Sequence, residues 1–387
     1  MSLEVDPDPA PDPGHHTVVA PARSERSAAL LGVALGVTFT ICFLTGVLSH
    51  LIQEPPGWFA WPARPAGAYR VSQGVHVLTG MAAVPLLLAK VWVVHPKLFE
   101  RPVVRSLAHG AERLALLPLV GGSVLLLMTG LGNINIWRPW PFSFRDGHYA
   151  AAWLVMGALV IHVAAKGAVT RGHLAHRPRL RAERPVGDRG LDRRGFLTAV
   201  AGASGLVVVL SAGQTVHALR GLTVLAPRRT DVGPQGFPVN RTAASVGLTD
   251  VDLDTYRLVV DGPGVDRPLS LTYEELWALP RREAELPIAC VEGWSASPRW
   301  RGVPVRDLLE MADAREGCGL RVESIQQSAR LRDSEVNAGQ AVDVDLLLAL
   351  EVNGERLEPD HGFPVRLIGP NRPGVQQTKW VGRIEVT

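Results

Sequence analysis

"LPIACVEGWSASPRW", residues 286–300, decides how the second half of this chain folds and what it carries. A short apolar run, Leu286 to Ala289, leads into Cys290 and then into a turn-rich segment holding Trp294 and Trp300. Such a run, closed by Gly, Ser and Pro, reads as a strand entering a turn, with the cysteine carried on that turn. A thiolate there is a soft ligand suited to a transition metal. The chain has only three cysteines. Cys42 lies in an apolar segment and reads as a small apolar residue, so cysteine arithmetic alone leaves a Cys290–Cys318 disulfide as the alternative.

Around this stretch, alternating apolar runs read as strands: "YRLVVDG", "GLRVESI", "FPVRLIG" and "WVGRIEV". "TYEELWAL", "VRDLLEMA" and "DVDLLLAL" read as helices. Residues 228–387 are therefore expected to form an α+β domain, large enough to bury one core.

The first half has a different character. Nearly half of the 387 residues are hydrophobic (47%) and only 20% are charged, with the charges gathered between five apolar segments. These are Ala28–Ile52, Val71–Val94, Leu114–Ile134, Tyr149–Val169 and Phe196–Val216, each close to the ~20 residues that cross a bilayer. The first lacks the charged n-region and cleavage site of a secretory signal, so it is expected to be retained as a span. The organisation follows: a disordered tail at 1–26, in which His15 and His16 carry no assigned role, a four-span membrane domain at 27–170, a basic cytoplasmic loop at 171–195 and a fifth span at 196–217.

The net charge of +3 is small, and the basic residues cluster in the connections after the second and fourth segments, with Lys97, Arg101, Arg105 and Arg113 in the first of these. That pattern argues against nucleic acid as a partner. By the positive-inside rule it makes those connections and the amino terminus cytoplasmic and the carboxyl-terminal domain extracytoplasmic. Trp58, Trp61, Trp137 and Trp140 in the outer connections are expected to anchor at lipid headgroups. Lys90 and Lys166, near the inner ends of their spans, are expected to snorkel. Arg193 and Arg194 before Phe196 and Leu197 resemble a twin-arginine export signal, placed inside the chain.

Within the 228–387 domain, "CVEGWS" and "WRGVP" around Cys290, then "VNGE" at Val352–Glu355, "DHGFPVRLIGP" at Asp360–Pro370 and "VQQTKWVGRIEV" at Val375–Val386 occur in the order of the sulfite oxidase family's molybdopterin domain. The chain resembles that family over roughly Gly236 to Thr387. The resemblance implies that Cys290 ligates molybdenum and that His361, Arg366, Gln377, Thr378 and Lys379 hold the pterin and its phosphate, with Asn240 and Arg241 of "FPVNRTA" as further contacts. Trp294, Trp300 and Trp380 are expected to fill the core. Guanidinium, ammonium and backbone N–H donors suit a dianionic phosphate. "SARLRDSEVN" places Leu331 between Arg330 and Arg332 where sulfite-oxidising members carry a tyrosine, so sulfite is not the expected substrate. The chain closes on "RIEVT", where eukaryotic and plant members continue into an immunoglobulin-like domain. It is thus expected to stand nearer the bacterial periplasmic branch, which includes the catalytic subunit of the protein-methionine-sulfoxide reductase. A small-molecule or protein-borne oxo compound is then the substrate class.

Two-electron chemistry at a metal requires an electron carrier or a quinone as partner, and histidine inside a membrane segment is functional by default. His50, His76 and His148 stand near the outer ends of their segments. His148 and His162 are 14 residues apart, about 21 Å along one helix face, the interval of four-helix b-type cytochromes. Lys90 replaces the histidine that would complete the inner level. One outer haem b on His76 and His148, with His50 as a substitute ligand, a haem-free anchor, or two haems are the readings this leaves. A membrane cytochrome with a non-catalytic docking domain is the competing function.

Overall fold

The computed structural model describes residues 22–98, 107–175, 192–248, 250–327 and 332–387. The expectations placed on His15, His16, Arg101, Arg105, Arg330, Leu331 and most of the 171–195 loop lie outside these residues. Five long helices come first: α1 (Glu25–Gln53), α2 (Ala68–Leu98), α3 (Leu107–Ile134), α4 (Phe144–Ala175) and α5 (Arg193–Ala212). By length and composition each can cross a membrane. Leu44, Leu114, Val160 and Leu206 all face outward, and a helix surface apolar all round suits lipid better than water. Helix α1 packs on α2 and α4, α3 on α4, and α5 on α2. Gly122 permits the close α3–α4 approach, because a Cβ there would stand 2.5 Å from Val155 Cγ2.

The fifth helix departs from the 196–216 expectation. It starts at Arg193, capped by the Asp192 carboxylate on the Gly195 N–H, and stops at Ala212. The run after it is spent on docking: the Gln214 carbonyl accepts from the Ser295 N–H at 2.7 Å and the Thr215 hydroxyl donates to the Gly293 carbonyl at 3.1 Å.

The second domain contains β1 (Leu258–Asp261), β2 (Leu269–Leu271), α6 (Tyr273–Ala278), β3 (Arg282–Glu285), β4 (Ile288–Ala289), β5 (Ser295–Ala296), β6 (Arg299–Pro304), α7 (Val305–Met311), β7 (Leu320–Ser324), β8 (Asp333–Val336), α8 (Ala338–Ala341), β9 (Leu347–Val352), β10 (Glu355–Arg356), β11 (Arg366–Ile368) and β12 (Val381–Val386). One sheet runs β2-β1-β12-β7-β8, a second β10-β9-β6-β3 with β11 also on β9, and β4-β5 is a small hairpin. Strands β1 and β12 pair in parallel, and the other strand pairs among the described residues are antiparallel. Between the sheets lie Leu258, Val260, Leu308, Leu348, Leu350, Leu367 and Ile384, all inaccessible to solvent. Trp300 fills a second core with Phe237, Leu347 and Ile368, and Trp294 and Trp380 are buried as expected.

"DVDLLLAL", read as a helix, is corrected. Its apolar end is β9, the central strand of the second sheet, paired with β6 on one side and β10 and β11 on the other. Leu347 to Leu350 are buried on both faces, and such a run has no alternation to distinguish it from a buried helix. The strands expected in "YRLVVDG", "GLRVESI", "FPVRLIG" and "WVGRIEV" are β1, β7, β11 and β12.

The second domain rests on the end of the bundle where α1 stops, α2 starts, α3 stops and α4 starts. Trp61 is part of this seam: its indole N–H donates to the Asn371 carbonyl at 2.9 Å, so it docks the two domains instead of anchoring at headgroups. Asn371 answers by donating to the Pro62 carbonyl and accepting from the Tyr69 N–H. Arg64 forks onto Asp343 and reaches Asp345. At the far end of the bundle Lys90 donates to the Ala28 carbonyl at 2.6 Å.

Candidate active site at the domain seam

The β4-β5 hairpin presents Cys290. Its turn closes with the Cys290 N–H on the Trp294 carbonyl (2.9 Å) and the Gly293 N–H on the Cys290 carbonyl (3.0 Å), and Gly293 takes the positive φ of 92° that the reversal needs. The cysteines are free, so the Cys290–Cys318 disulfide is excluded. Cys290 belongs to the Trp300 cluster, whereas Cys318 packs against the core between the sheets. The thiol is buried, and desolvation, followed by the nearby Glu292 charge, pushes it up to about 12. A bound cation would invert that preference, since a coordinating thiol is deprotonated.

Cys290 opens on a cavity of about 1130 Å³ shared by the two domains. Asn240, Arg241 and Glu292 line it from the second domain, and His50, His76 and His148 from the bundle. His162 is not in its wall. Of the residues expected to bind cofactor, the structure brings Asn240 and Arg241 to the cavity beside Cys290 and sets the rest behind them. His361 Nε2 donates to the Pro234 carbonyl at 2.8 Å and its ring stacks on Phe237 at 3.8 Å. Lys379 Nζ donates to the Arg241 and Asp360 carbonyls. Two motifs distant in sequence thus clamp the 234–241 segment that carries Asn240 and Arg241. Gln377 donates to the Pro287 and Arg372 carbonyls, and Thr378 shares a 2.7 Å bond with Ser334.

The charge balance behind Cys290 is unusual. Arg366 and Arg372 are buried and Lys379 is half-buried, yet none of the three joins an ion pair among the described residues. Burial lowers Arg366 to about 9 and Arg372 to about 10, and holds Lys379 well below the usual lysine range. Burial, with the Arg366 charge second, takes His361 down to about 3, so it is neutral. The Arg366 Nε, Arg372 Nε, Gln377 Oε1 and Ser295 Oγ atoms are buried without a partner. Buried charges normally come paired. The Arg366 and Lys379 charges near the buried thiol, with the unused Arg366 and Arg372 N–H groups, are a donor set that a phosphate-bearing, metal-carrying cofactor would satisfy. Among the described residues no group of three or more His, Cys, Asp and Glu could hold an ion, so a metal at Cys290 requires ligands that a cofactor brings.

In the bundle, His76 and His148 face each other with ring centres 6.3 Å apart. Two imidazoles sharing one metal at about 2 Å per bond have ring centres roughly 6 Å apart. His76 Nδ1 lies 2.9 Å from the Cys42 carbonyl, which can only accept. His148 Nδ1 lies 2.9 Å from the Thr129 hydroxyl, whose own proton goes to the Leu125 carbonyl at 2.7 Å. Both rings therefore carry the proton on Nδ1 and leave Nε2 as a lone pair, the arrangement of metal-binding histidines. His50 instead stacks on Tyr149 at 3.8 Å and turns Nε2 toward Glu54.

Sequence reasoning missed Glu292, Arg228, Arg138 and Asn133. Glu292, two residues from the cysteine, is nearly buried and lies within 3.5 Å of Arg228 and 3.9 Å of Arg138. Asn133 donates to the Val291 carbonyl at 2.9 Å. Glu292 stood inside a quoted motif; Arg228 reaches it from a distant part of the same domain, and Arg138 and Asn133 act across the seam, where no local pattern announces them.

The model of the oxidoreductase molybdopterin binding domain family matches residues 245–387. The uncharacterized oxidoreductase YuiH of Bacillus subtilis (strain 168) is 33% identical over 137 residues, 35% of this chain and 67% of that protein. Mitochondrial sulfite oxidase of Rattus norvegicus is 28% identical over 176 residues, 38% of this chain and 32% of that protein. The putative protein-methionine-sulfoxide reductase subunit YedZ1 of Azospira oryzae is 29% identical over 154 residues, 39% of this chain and 56% of that protein. The chain thus spans about a third of the rat enzyme's length and just over half of YedZ1.

Proposed function

The chain belongs to the sulfite oxidase family of molybdopterin-binding oxidoreductases, and from that footing we propose that it is a membrane-anchored enzyme of two-electron oxygen-atom transfer. Its metal would sit on Cys290, its catalytic domain faces the extracytoplasmic side, and His76 and His148 would hold a haem b that exchanges electrons with a carrier or quinone. The observation that carries this reading is the cavity shared by Cys290 and those histidines. Two of the similar proteins are named for reactions of sulfur oxides, and the same class of chemistry is proposed here.

When bound, molybdopterin supplies the oxygen-atom transfer and haem the one-electron steps. The chain's own part is to bind and orient. Cys290 would hold the metal, and the charges of Arg366, Arg372 and Lys379 would offset the cofactor's phosphate. His361 and Lys379 pin the 234–241 backbone that brings Asn240 and Arg241 to the cavity wall. Gln377 and Thr378 fix the loop between Arg372 and Lys379. Glu292, held by Arg138 and Arg228, ties the Cys290 turn to the bundle. Arg193 and Arg194 at the start of α5 serve as the export signal for a domain that takes up its cofactor before crossing.

Metal analysis and a pyridine haemochrome assay on the purified full chain test the reading. One molybdenum per chain is expected, lost in Cys290→Ser and kept in Cys318→Ser. Haem should vanish in His76→Ala and His148→Ala and persist in His162→Ala. Wild type without molybdenum, or equal loss from both cysteine variants, ends the proposal for Cys290; wild type without haem ends the proposal for the bundle.

A further inference from the structure

After Ala212 the chain doubles back along α5. The Leu225 N–H donates to the Leu210 carbonyl at 3.0 Å. Residue 225 is therefore level with the last turn of the helix, about 3 Å short of its end at a rise of about 1.5 Å per residue. The return is tightly packed: a Cβ on Gly213 would collide with Thr223 Oγ1 and stand 2.7 Å from Arg220 Cα. A helix end leaves carbonyls without helical partners, and here the return takes them. Ser211 accepts from the Gln214 N–H, Ala212 from Thr215 and Val216, and Leu210 from Leu225. A helix end closed by its own chain has no need of water, which is what a bilayer requires.

The surface of the return is apolar and bare. Val216, Leu222, Val224 and Leu225 are exposed, Val224 at 76% as fully as Trp58 at 77%. This surface continues the outward face of α5, where Leu206 and Val209 are exposed. Between Arg194 and Arg228 the sequence has one Lys, Arg, Asp or Glu, Arg220, whose guanidinium donates to His217 Nε2 at 2.7 Å. The seam end of the bundle also exposes Trp58, just after α1, and Trp137, just after α3, side chains suited to the headgroup layer. No Trp, Tyr or Phe lies between Phe196 and Phe237, so beside α5 the return supplies aliphatic groups instead.

Both ends of the return grip the turn that carries Cys290. At one end the Gln214 carbonyl accepts from Ser295 and the Thr215 hydroxyl donates to Gly293. At the other, Arg228 pairs with Glu292 at 3.5 Å.

We propose that residues 216–225 are seated in the leaflet on the seam side, with Val216, Leu222, Val224 and Leu225 among the acyl chains and Arg220 at the phosphates, and that this seating steadies the Cys290 turn. Lipid is the occupant because the apolar surface is continuous with that of a membrane-crossing helix and returns to its depth. The proposal rests on the five helices crossing the membrane and needs neither metal nor haem.

The test uses the purified full chain in nanodiscs of phosphatidylcholine and phosphatidylglycerol. A ketone-bearing phenylalanine analogue replaces Leu222, Val224, Leu206 or Glu316 in turn and is linked to a nitroxide, which leaves the cysteines untouched. Power saturation with oxygen and with a water-soluble nickel chelate then reads depth. Positions 222 and 224 should stand about 5–10 Å below the phosphates, the depth of interfacial helices, with 206 deeper and 316 in water. Positions 222 and 224 in water while 206 is in lipid overturns the seating alone; 206 in water as well shows that the membrane reading itself fails. Exclusion of both reagents at 222 and 224, with a doubled mass by light scattering, means that a second copy covers the surface, and also overturns it. Hydrogen exchange reads the hold on the turn. In Leu222→Asp combined with Val224→Asp, residues 291–296 should exchange about tenfold faster or more while β9 keeps its protection. An unchanged rate at 291–296 overturns the link to the Cys290 turn.

Discussion

At the scale of single residues, the site is a set of groups held in states that water would not choose. His361 is the clearest. Its folded value lies near 3, set first by burial, and an exposed histidine titrates near 6.5. Between those values the unfolded chain binds more protons than the folded one, so stability rises with pH across that window, is complete above about 6.5 and is lost as pH falls. Going from pH 7.5 to 5 should cost about 2 kcal/mol from this side chain alone. His361→Gln keeps a donor for the Pro234 carbonyl and cannot be charged. Urea midpoints of the soluble domain at the two pH values should therefore differ less in the variant; an unchanged difference would show that His361 is not the group responsible. That His361 belongs to the site is an expectation drawn from the "DHGFP" motif, and its direct partner, the Pro234 carbonyl, was not legible in the sequence. The motif implied a cofactor contact, while the structure shows a ring that positions Asn240 and Arg241 through the 234–241 backbone.

At the scale of elements, the quoted motifs turn out to be backbone devices as much as chemical ones. Gly302 of "WRGVP" lies where β6 crosses β9, and a Cβ there would stand 2.1 Å from the Leu348 carbonyl oxygen and 2.6 Å from Ala349 Cα. Both obstacles are backbone of a central strand and cannot yield. Gly302→Ala is expected to destabilise the domain by about 3 kcal/mol or more and to abolish its cooperative thermal transition. Gly293→Ala meets only ordinary contacts at 3.5 Å and costs the strain of a positive φ, about 1 kcal/mol, seen as a small drop in Tm. A wild-type melt in Gly302→Ala would refute the crossing. The five apolar helices were readable from the length of their apolar runs, and strands such as β7 from the alternation of buried and exposed residues. Strand β9 was not, because a run buried on both faces carries no period, and α5 ended early because Gln214 and Thr215 find partners on the other domain.

At the scale of the whole molecule, the two halves explain each other's charge pattern. The end of the bundle that meets the second domain offers neutral docking groups, Ile52, Trp61, Tyr69, Asn133 and Thr215, with Arg64 and Arg138 committed to carboxylates across the seam. The other end carries Arg26, Lys97, Arg113, Arg171, Arg193 and Arg194 near the termini of all five helices. Chain orientation in a membrane follows the distribution of positive charges, which stay on the cytoplasmic side. On that rule the seam, and with it Cys290, is expected to face outward, with an odd number of spans between it and the amino terminus. Alkaline phosphatase fused after Thr387 should be active and a fluorescent protein at the same position dark, because the first matures only outside and the second only inside. The reverse pair of results would place the basic end outside and overturn the orientation. It would leave the docking intact, since the seam is built from hydrogen bonds between the two domains that do not depend on which way the bundle faces.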